Sequence, residues 1–204
     1  MAPQADITAE GKGKEAVKDM EVPIELVGAW RRSGLIWKGA RHIDYCDVIW
    51  LQTPEWFVDM RLIIDVSAVP ADAKVPKFFS RNSCFAGHTT YEAPQITWNH
   101  EIDFNANRRP DARPDSRPIQ WEDGVVFEMG TATVDGEEHP FVEEWLRMTD
   151  DDVKWSAEGD ANSARIEVGK WAVELSDTRP AGGFKAVRYE LSAGEWKEYG
   201  TIST

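Results

Sequence analysis

From Pro23 onward, apolar and polar residues alternate in short runs, and the runs are cut at Gly, Pro, Asp-Gly and Asn. A period of two puts successive side chains on opposite faces of a strand, and almost no stretch keeps the i, i+3, i+4 apolar spacing of an amphipathic helix. The pattern predicts a bent first strand in IELVGAWRRSGLIWKG, then a hairpin of DVIWLQT (47–53) and WFVDMRLII (56–64). A second hairpin, FAGHTTYE and QITWNHEIDF, turns at Ala93-Pro94. Strands resume in IQWEDGVVFEMGTATV and, after the Asp135-Gly136 turn, PFVEEWLRM; VKWSAEG, SARIEVGKWAVELS, GFKAVRYEL and EWKEYGTI follow.

About 8–12 short strands with little helix predict an all-β, antiparallel sandwich or barrel. A barrel is favoured because WFVDMRLII and TWNHEID carry bulky or polar residues on both faces. That suits a wall with solvent outside and a partly polar cavity inside, whereas a filled sandwich core would reject them. Residues 1–22, rich in Ala, Gly, Lys and acid, predict a mobile arm; 23–204 predict a single β-barrel domain. The segment 66–82 reads as a loop with a short helical turn near Lys77–Ser80, placed to lid a cavity mouth. The segment 105–118, with its Pro, Arg and Asp, reads as a charged, solvated connection.

Ten tryptophans and 42% hydrophobic residues lie far from the composition of disorder, so 204 residues suffice for a buried core. A net charge of −13 with no Lys/Arg cluster opposes binding to a phosphate backbone, which makes nucleic acid an unexpected partner. Cys46 and Cys84 are too few for a disulfide framework and match no zinc spacing; they read as buried thiols of a reducing compartment. No segment approaches the ~20 apolar residues of a membrane span, and no signal-like apolar run opens the chain. The expected location is the cytoplasm, with no membrane partner; a homodimer is compatible with the chain.

The candidate chemistry gathers between Trp50 and Asp103. Asp59 and Arg61 are two apart on one strand, about 6–7 Å along it, within reach of an ion pair or of jointly orienting a ligand carboxylate or carbonyl. Their phasing favours an inward position. His88 follows Gly87, and glycine on a strand permits close approach of another backbone or a ligand. His100 alternates with Trp98 and Ile102, an aromatic face that suits a flat ligand with one proton to move. Glu143, Trp145 and Arg147 share a face of FVEEWLR, and a carboxylate there would orient an imidazole. His88, His100 and Asp59 are the catalytic candidates; Arg61, Trp50, Gln52, Trp98, Glu143 and Trp145 are the substrate-binding ones. No metal is expected, because His42, His88 and His100 lack HxH or HxxxH spacing, and no cofactor motif occurs: there is no nucleophile elbow, Walker loop or dinucleotide fingerprint.

Gly28-Ala29-Trp30 resembles the Gly-x-Trp signature of lipocalins and the wider calycin superfamily, and the order GAWRR, WLQT, VDMR, FAG, TWNHEIDF, EEWLR is similar to small lipocalin-like proteins over roughly residues 26–190. The resemblance implies a closed barrel plugged by Trp30, with a basic residue from a late strand, for which Arg188 is the candidate, packed over it. It implies no reaction. The chain departs from haem-binding nitrobindin barrels in lacking their glycine-rich opening. Two functions are expected: acid-base lyase, isomerase or dehydratase chemistry on a small hydrophobic or aromatic substrate in the cavity, or non-catalytic binding of such a molecule. Convergence of His88, His100 and the Asp59/Arg61 pair on one pocket would favour catalysis.

Overall fold

The computed structural model describes residues 22–42, 44–64, 67, 79, 81–105, 114–150 and 152–204. The arm over 1–22 and the loop over 66–82 fall almost wholly outside the described residues.

Nine antiparallel strands form the first sheet: β1 (Gly28–Trp37), β2 (Ala40–His42), β3 (Cys46–Gln52), β4 (Trp56–Ile63), β5 (Ser83–Glu92), β6 (Gln95–Asp103), β7 (Asp115–Glu122), β8 (Val125–Val134) and β9 (Glu137–Arg147). β1 pairs β3 through Gly28–Arg31 and β9 through Trp30–Trp37. Those two seams close β1 and β3–β9 into an eight-stranded barrel. β2 only extends the outer end of β1. The tight hairpins Asp123-Gly124 and Asp135-Gly136 hold positive φ at both central residues, the turn whose twist matches the flanking strands and which glycine and aspartate tolerate best. The expected loop over 105–118 is corrected at its end. β7 already begins at Asp115, because Asp115–Pro118 find pairing partners along β6 that outweigh the local proline and charge.

The sequence pattern ran one barrel to the C-terminus, but the β1–β9 seam ends it at Arg147. The last five strands, β10 (Trp155–Gly159), β11 (Ser163–Val168), β12 (Trp171–Asp177), β13 (Phe184–Ser192) and β14 (Glu195–Ser203), form a separate antiparallel meander. Its apolar face, including Ile166, Val173, Leu175, Phe184 and Ile202, packs on the outward side chains Ile49, Leu51, Val58, Met60 and Ile102 of the barrel wall. Both faces of β3 are therefore dry, and all seven of its residues are buried. This corrects the expectation of solvent outside that wall: its outer face is mixed because a second sheet covers it. A polar clasp pins the two together. Asp47 Oδ2 accepts from Arg188 Nη1 (3.1 Å) and Tyr199 Oη (2.9 Å), and Arg31 Nε lies 3.2 Å from Oδ1.

Arg188 thus serves the clasp, stacked over Trp171 and Tyr199, and does not cover Trp30. Arg147, the last residue of β9, does so: its guanidinium lies 5.4 Å from the Trp30 ring and donates to the carbonyls of Val27 (2.6 Å) and Glu25 (3.2 Å). Trp30 Nε1 donates to Leu26 O at 2.9 Å, which ties the plug to the 3-10 turn Ile24–Leu26. Val22, Leu26, Trp30 and Trp50 seal that end. No helix among the described residues is long and apolar enough to cross a membrane.

Trp30 is 2% exposed, so Trp30→Ala is expected to cost about 3–5 kcal/mol, the range for deleting a buried large aromatic. Urea denaturation checks it. A loss under about 1 kcal/mol would mean that the barrel end is closed by something else.

Candidate functional site

Inward-facing residues of the barrel divide into two layers. Against the plugged end, Trp50 meets Trp30 in a stack (5.8 Å, 25°) and meets Trp98 and Trp145 edge-on, each at 5.7 Å. The indoles fill the space they surround, leaving a void of about 20 Å³ bounded also by Phe57, Asp59, Arg61 and Glu128. Beyond this aromatic floor lies a cavity of about 320 Å³, lined by Arg61, Ser83, Phe85, His100, Asp103, Asn105, Asp115, Arg117, Glu128, Phe141 and Glu143, among others.

The β4 alternation sends Trp56, Val58 and Met60 to the second sheet and Phe57, Asp59 and Arg61 inward. The inward phasing read for Asp59 and Arg61 is the observed one. Asp59 takes two donors from Arg61, Nε at 2.8 Å and Nη2 at 3.0 Å. Arg61 Nη1 is 3.8 Å from Glu143 Oε1, beyond hydrogen-bond reach. Burial works against the Arg61 charge, but Asp59 and then Glu143 override it and hold its pKa well above the ordinary value. Arg32, an inward residue of β1, reaches the same Glu143 at 3.2 Å and binds Asp44 at 2.6 Å. Two guanidiniums thus flank Glu143.

His100 is placed by a bulge. The β5–β6 pairing shifts between Ala86/Ile102 and Gly87/His100, which leaves Glu101 as the extra residue. A side chain at Gly87 would lie 1.9 Å from the Asn99 carbonyl oxygen, so the close backbone approach expected of this glycine is present. The bulge also corrects the predicted face of β6: Trp98 and His100 point inward, Ile102 packs outward on the second sheet, and Asp103 returns to the cavity. His100 and Asp103, three apart, consequently meet, with Nδ1 3.2 Å from Oδ2. The ring is stacked on Phe85 at 4.3 Å and 14°, and the other carboxylate oxygen of Asp103 accepts from the Asn105 backbone N–H at 2.6 Å. In the tautomer that donates Nδ1–H to Asp103, Nε2 is left as an acceptor. It is buried without a hydrogen-bond partner.

His88 does not join this group. Its position faces outward, its side chain is 44% exposed, and it leans on Trp56 (4.4 Å) with Nε2 3.2 Å from Glu101. Gln52 belongs to the sealed end, where it accepts from Trp50 Nε1 and Thr89 Oγ1, both at 3.1 Å, and donates to Thr53 O. Of the expected residues, His100, Arg61 and Glu143 line the larger cavity. Asp59, Trp50, Trp98 and Trp145 lie beneath it, and His88 and Gln52 line neither space.

Asp103, Glu128, Asp115 and Arg117 went unsingled in the sequence. Glu128 was visible in principle, since Val126 and Glu128 keep one face of VVFEMG. It is the register partner of Glu143, and its Oε2 accepts from Trp145 Nε1 at 3.2 Å. Burial, and next the Glu143 charge, push the Glu128 carboxyl well above its ordinary range; Arg61 and Arg117 oppose this without cancelling it. Cys46 is likewise pushed up, to about 11, by burial, so neither it nor the buried Cys84 offers a thiolate. Among the described residues no group of three or more His, Cys, Asp or Glu is arranged to hold a metal ion. The site combines an oriented imidazole, a buried carboxyl whose pKa is raised, and an arginine hydrogen-bonded by Asp59 and close to Glu143.

Comparison with protein-family models, with curated proteins and with solved structures gave no match to this chain.

A carboxyl whose pKa is raised on folding binds more protons in the folded protein than in the unfolded chain, from its ordinary value of 4.5 up to its folded value. Across that window stability falls as pH rises. Glu128→Gln, which carries no charge and keeps an acceptor for Trp145, is expected to stabilise the protein at about pH 8 and to gain little below about pH 4. Urea midpoints at the two pH values read the difference; an equal shift at both would place Glu128 in its ordinary ionisation range.

Proposed function

We propose that the barrel is a proton-transfer site: a lyase, isomerase or dehydratase acting on a small molecule, with His100 as base, Asp103 holding its ring and Arg61 holding the polar end of the substrate. One observation carries this reading. His100 lines the cavity with Nδ1 engaged by buried Asp103 (3.2 Å) and its ring clamped on Phe85, so the opposite nitrogen is fixed in orientation and unpartnered. An imidazole ordered by a carboxylate is the arrangement general-base catalysis uses near neutral pH. A volume of about 320 Å³ is at the lower end for ligand sites and suits a small substrate. Phe85 and Phe141 offer apolar surface to a flat portion, and Arg61, Arg117 and Asn105 offer polar contacts. The plug of Trp30 beneath Arg147 supports reading the barrel as calycin-like.

The alternative is a non-catalytic binding protein for a small hydrophobic or aromatic molecule. It is supported by the aromatic floor of Trp50, Trp98 and Trp145 beneath the cavity, which shares Arg61, Phe85, Asp115 and Glu128 with the cavity lining. The two readings separate on one measurement. Small ketones, hydroxy acids and phenols are incubated in D₂O and followed by NMR for deuterium entering the C–H beside the carbonyl or ring oxygen. Enzyme-accelerated exchange with at least one of them is expected, and His100→Gln should slow it by about 100-fold, the usual share of acid-base catalysis. Quenching of tryptophan fluorescence by a panel member, with no exchange in any, would sink the catalytic reading and favour binding.

A further inference from the structure

Resting on the reading of His100 as a base, we propose that the reaction is elimination of water from a small β-hydroxy carbonyl compound, with Glu128 as the acid that protonates the departing hydroxyl. Three features of the cavity lead to this class of substrate.

First, the base and Glu128 occupy different strands, β6 and β8, on either side of β7, and both line one cavity. A molecule that fills so small a space touches both. Second, the two facing glutamates are treated differently. Glu143 sits between Arg32 (3.2 Å) and Arg61, whereas the polar contact to Glu128 is the neutral indole of Trp145 at 3.2 Å. Among the described residues no cation is within ion-pair distance of Glu128. A buried carboxyl so placed keeps its proton, and a group that keeps its proton on the same cavity as an imidazole that accepts one supplies the acid of an acid-base pair. Third, Phe85 is a shared platform: the His100 ring stacks on it at 4.3 Å and the Arg61 guanidinium lies 5.6 Å from its centroid. Asp59 takes Nε–H and one Nη2–H of Arg61, so the Nη1 N–H groups, 3.8 Å from Glu143, remain to donate to a ligand oxygen in the cavity that His100 also lines.

Each part answers one demand of the chemistry. The imidazole is strong enough to remove only a C–H acidified by an adjacent carbonyl, the charge growing on that carbonyl oxygen needs a donor, and hydroxide leaves a carbon poorly unless protonated. In the step, the α C–H bond breaks and its proton goes to His100 Nε2. The electron pair forms the new C=C bond, the β C–O bond breaks, and the oxygen takes the Glu128 proton and departs as water. His100 ends protonated and Glu128 ionised; proton exchange through solvent resets both, with no oxidant or reductant consumed.

The test uses the full chain with small 3-hydroxy ketones and 3-hydroxy acids. Exchange of the α-hydrogen in D₂O is read by NMR, and the conjugated alkene by ultraviolet absorbance. Wild-type protein should do both. His100→Gln should lose both, and Glu128→Gln should lose alkene formation by about 100-fold or more while retaining exchange. Retained exchange also reports that the Gln variant is folded. Alkene formation undiminished in Glu128→Gln, or exchange by the wild type without any alkene, would overturn the assignment of Glu128 and of water elimination while leaving His100 as base. Absence of exchange in the wild type would overturn the base and this proposal with it.

Discussion

The seam between β1 and β9 is the constraint on which the rest of the molecule depends. While β1 pairs with both β3 and β9, the inward faces of eight strands enclose one common interior. Arg147 ends β9 at that seam and lies over Trp30 while bonding the carbonyls of the entering chain, so closure of the wall and plugging of its end are one feature. Without closure, Asp59, Arg61, Glu128 and Glu143 would be ordinary solvated side chains of an open sheet. With it, their charges act on one another across a short, poorly screened distance.

Burying that many charges is costly, and the arrangement limits the cost by pairing. Arg61 with Asp59, Arg32 with Asp44, and both arginines with Glu143 leave few isolated charges, as buried ions require. Among the described residues Glu128 is the member with no cation within ion-pair distance, and burial and the Glu143 charge raise its pKa well above the ordinary value. The aromatic floor does the complementary work. Trp50, Trp98 and Trp145 occupy the plugged end and confine the open volume to the layer where the polar groups stand. The second sheet stiffens the same wall from outside, since the strands that carry Asp59, Arg61 and Phe85 inward carry Val58, Met60, Cys84 and Ala86 outward into its apolar face.

Period-two alternation, turn residues and the near absence of helical spacing were enough to read an antiparallel all-β chain. Gly28-Ala29-Trp30 pointed to the plug, and alternation put Asp59 and Arg61 on one face of WFVDMR and favoured an inward position, but with both faces mixed the inside was decided by the sheet that covers Val58 and Met60. The same sequence could not reveal where the barrel stops, since β9 and β10–β14 alternate alike and only the pairing of β9 with β1 distinguishes wall from covering sheet. Nor could it place the residue over Trp30: Arg147 and Arg188 are both arginines on late strands, and their roles follow from which sheet each strand joins. The site turned on one bulge. By adding Glu101 to β6, it sent Ile102 outward and brought Asp103 to His100, whereas strict alternation would have kept Ile102 with His100 and put Asp103 opposite. Local chemistry is written in the order of residues, but the choice of which charges share a cavity is made by strand register and closure, and these depend on contacts between residues far apart in the chain.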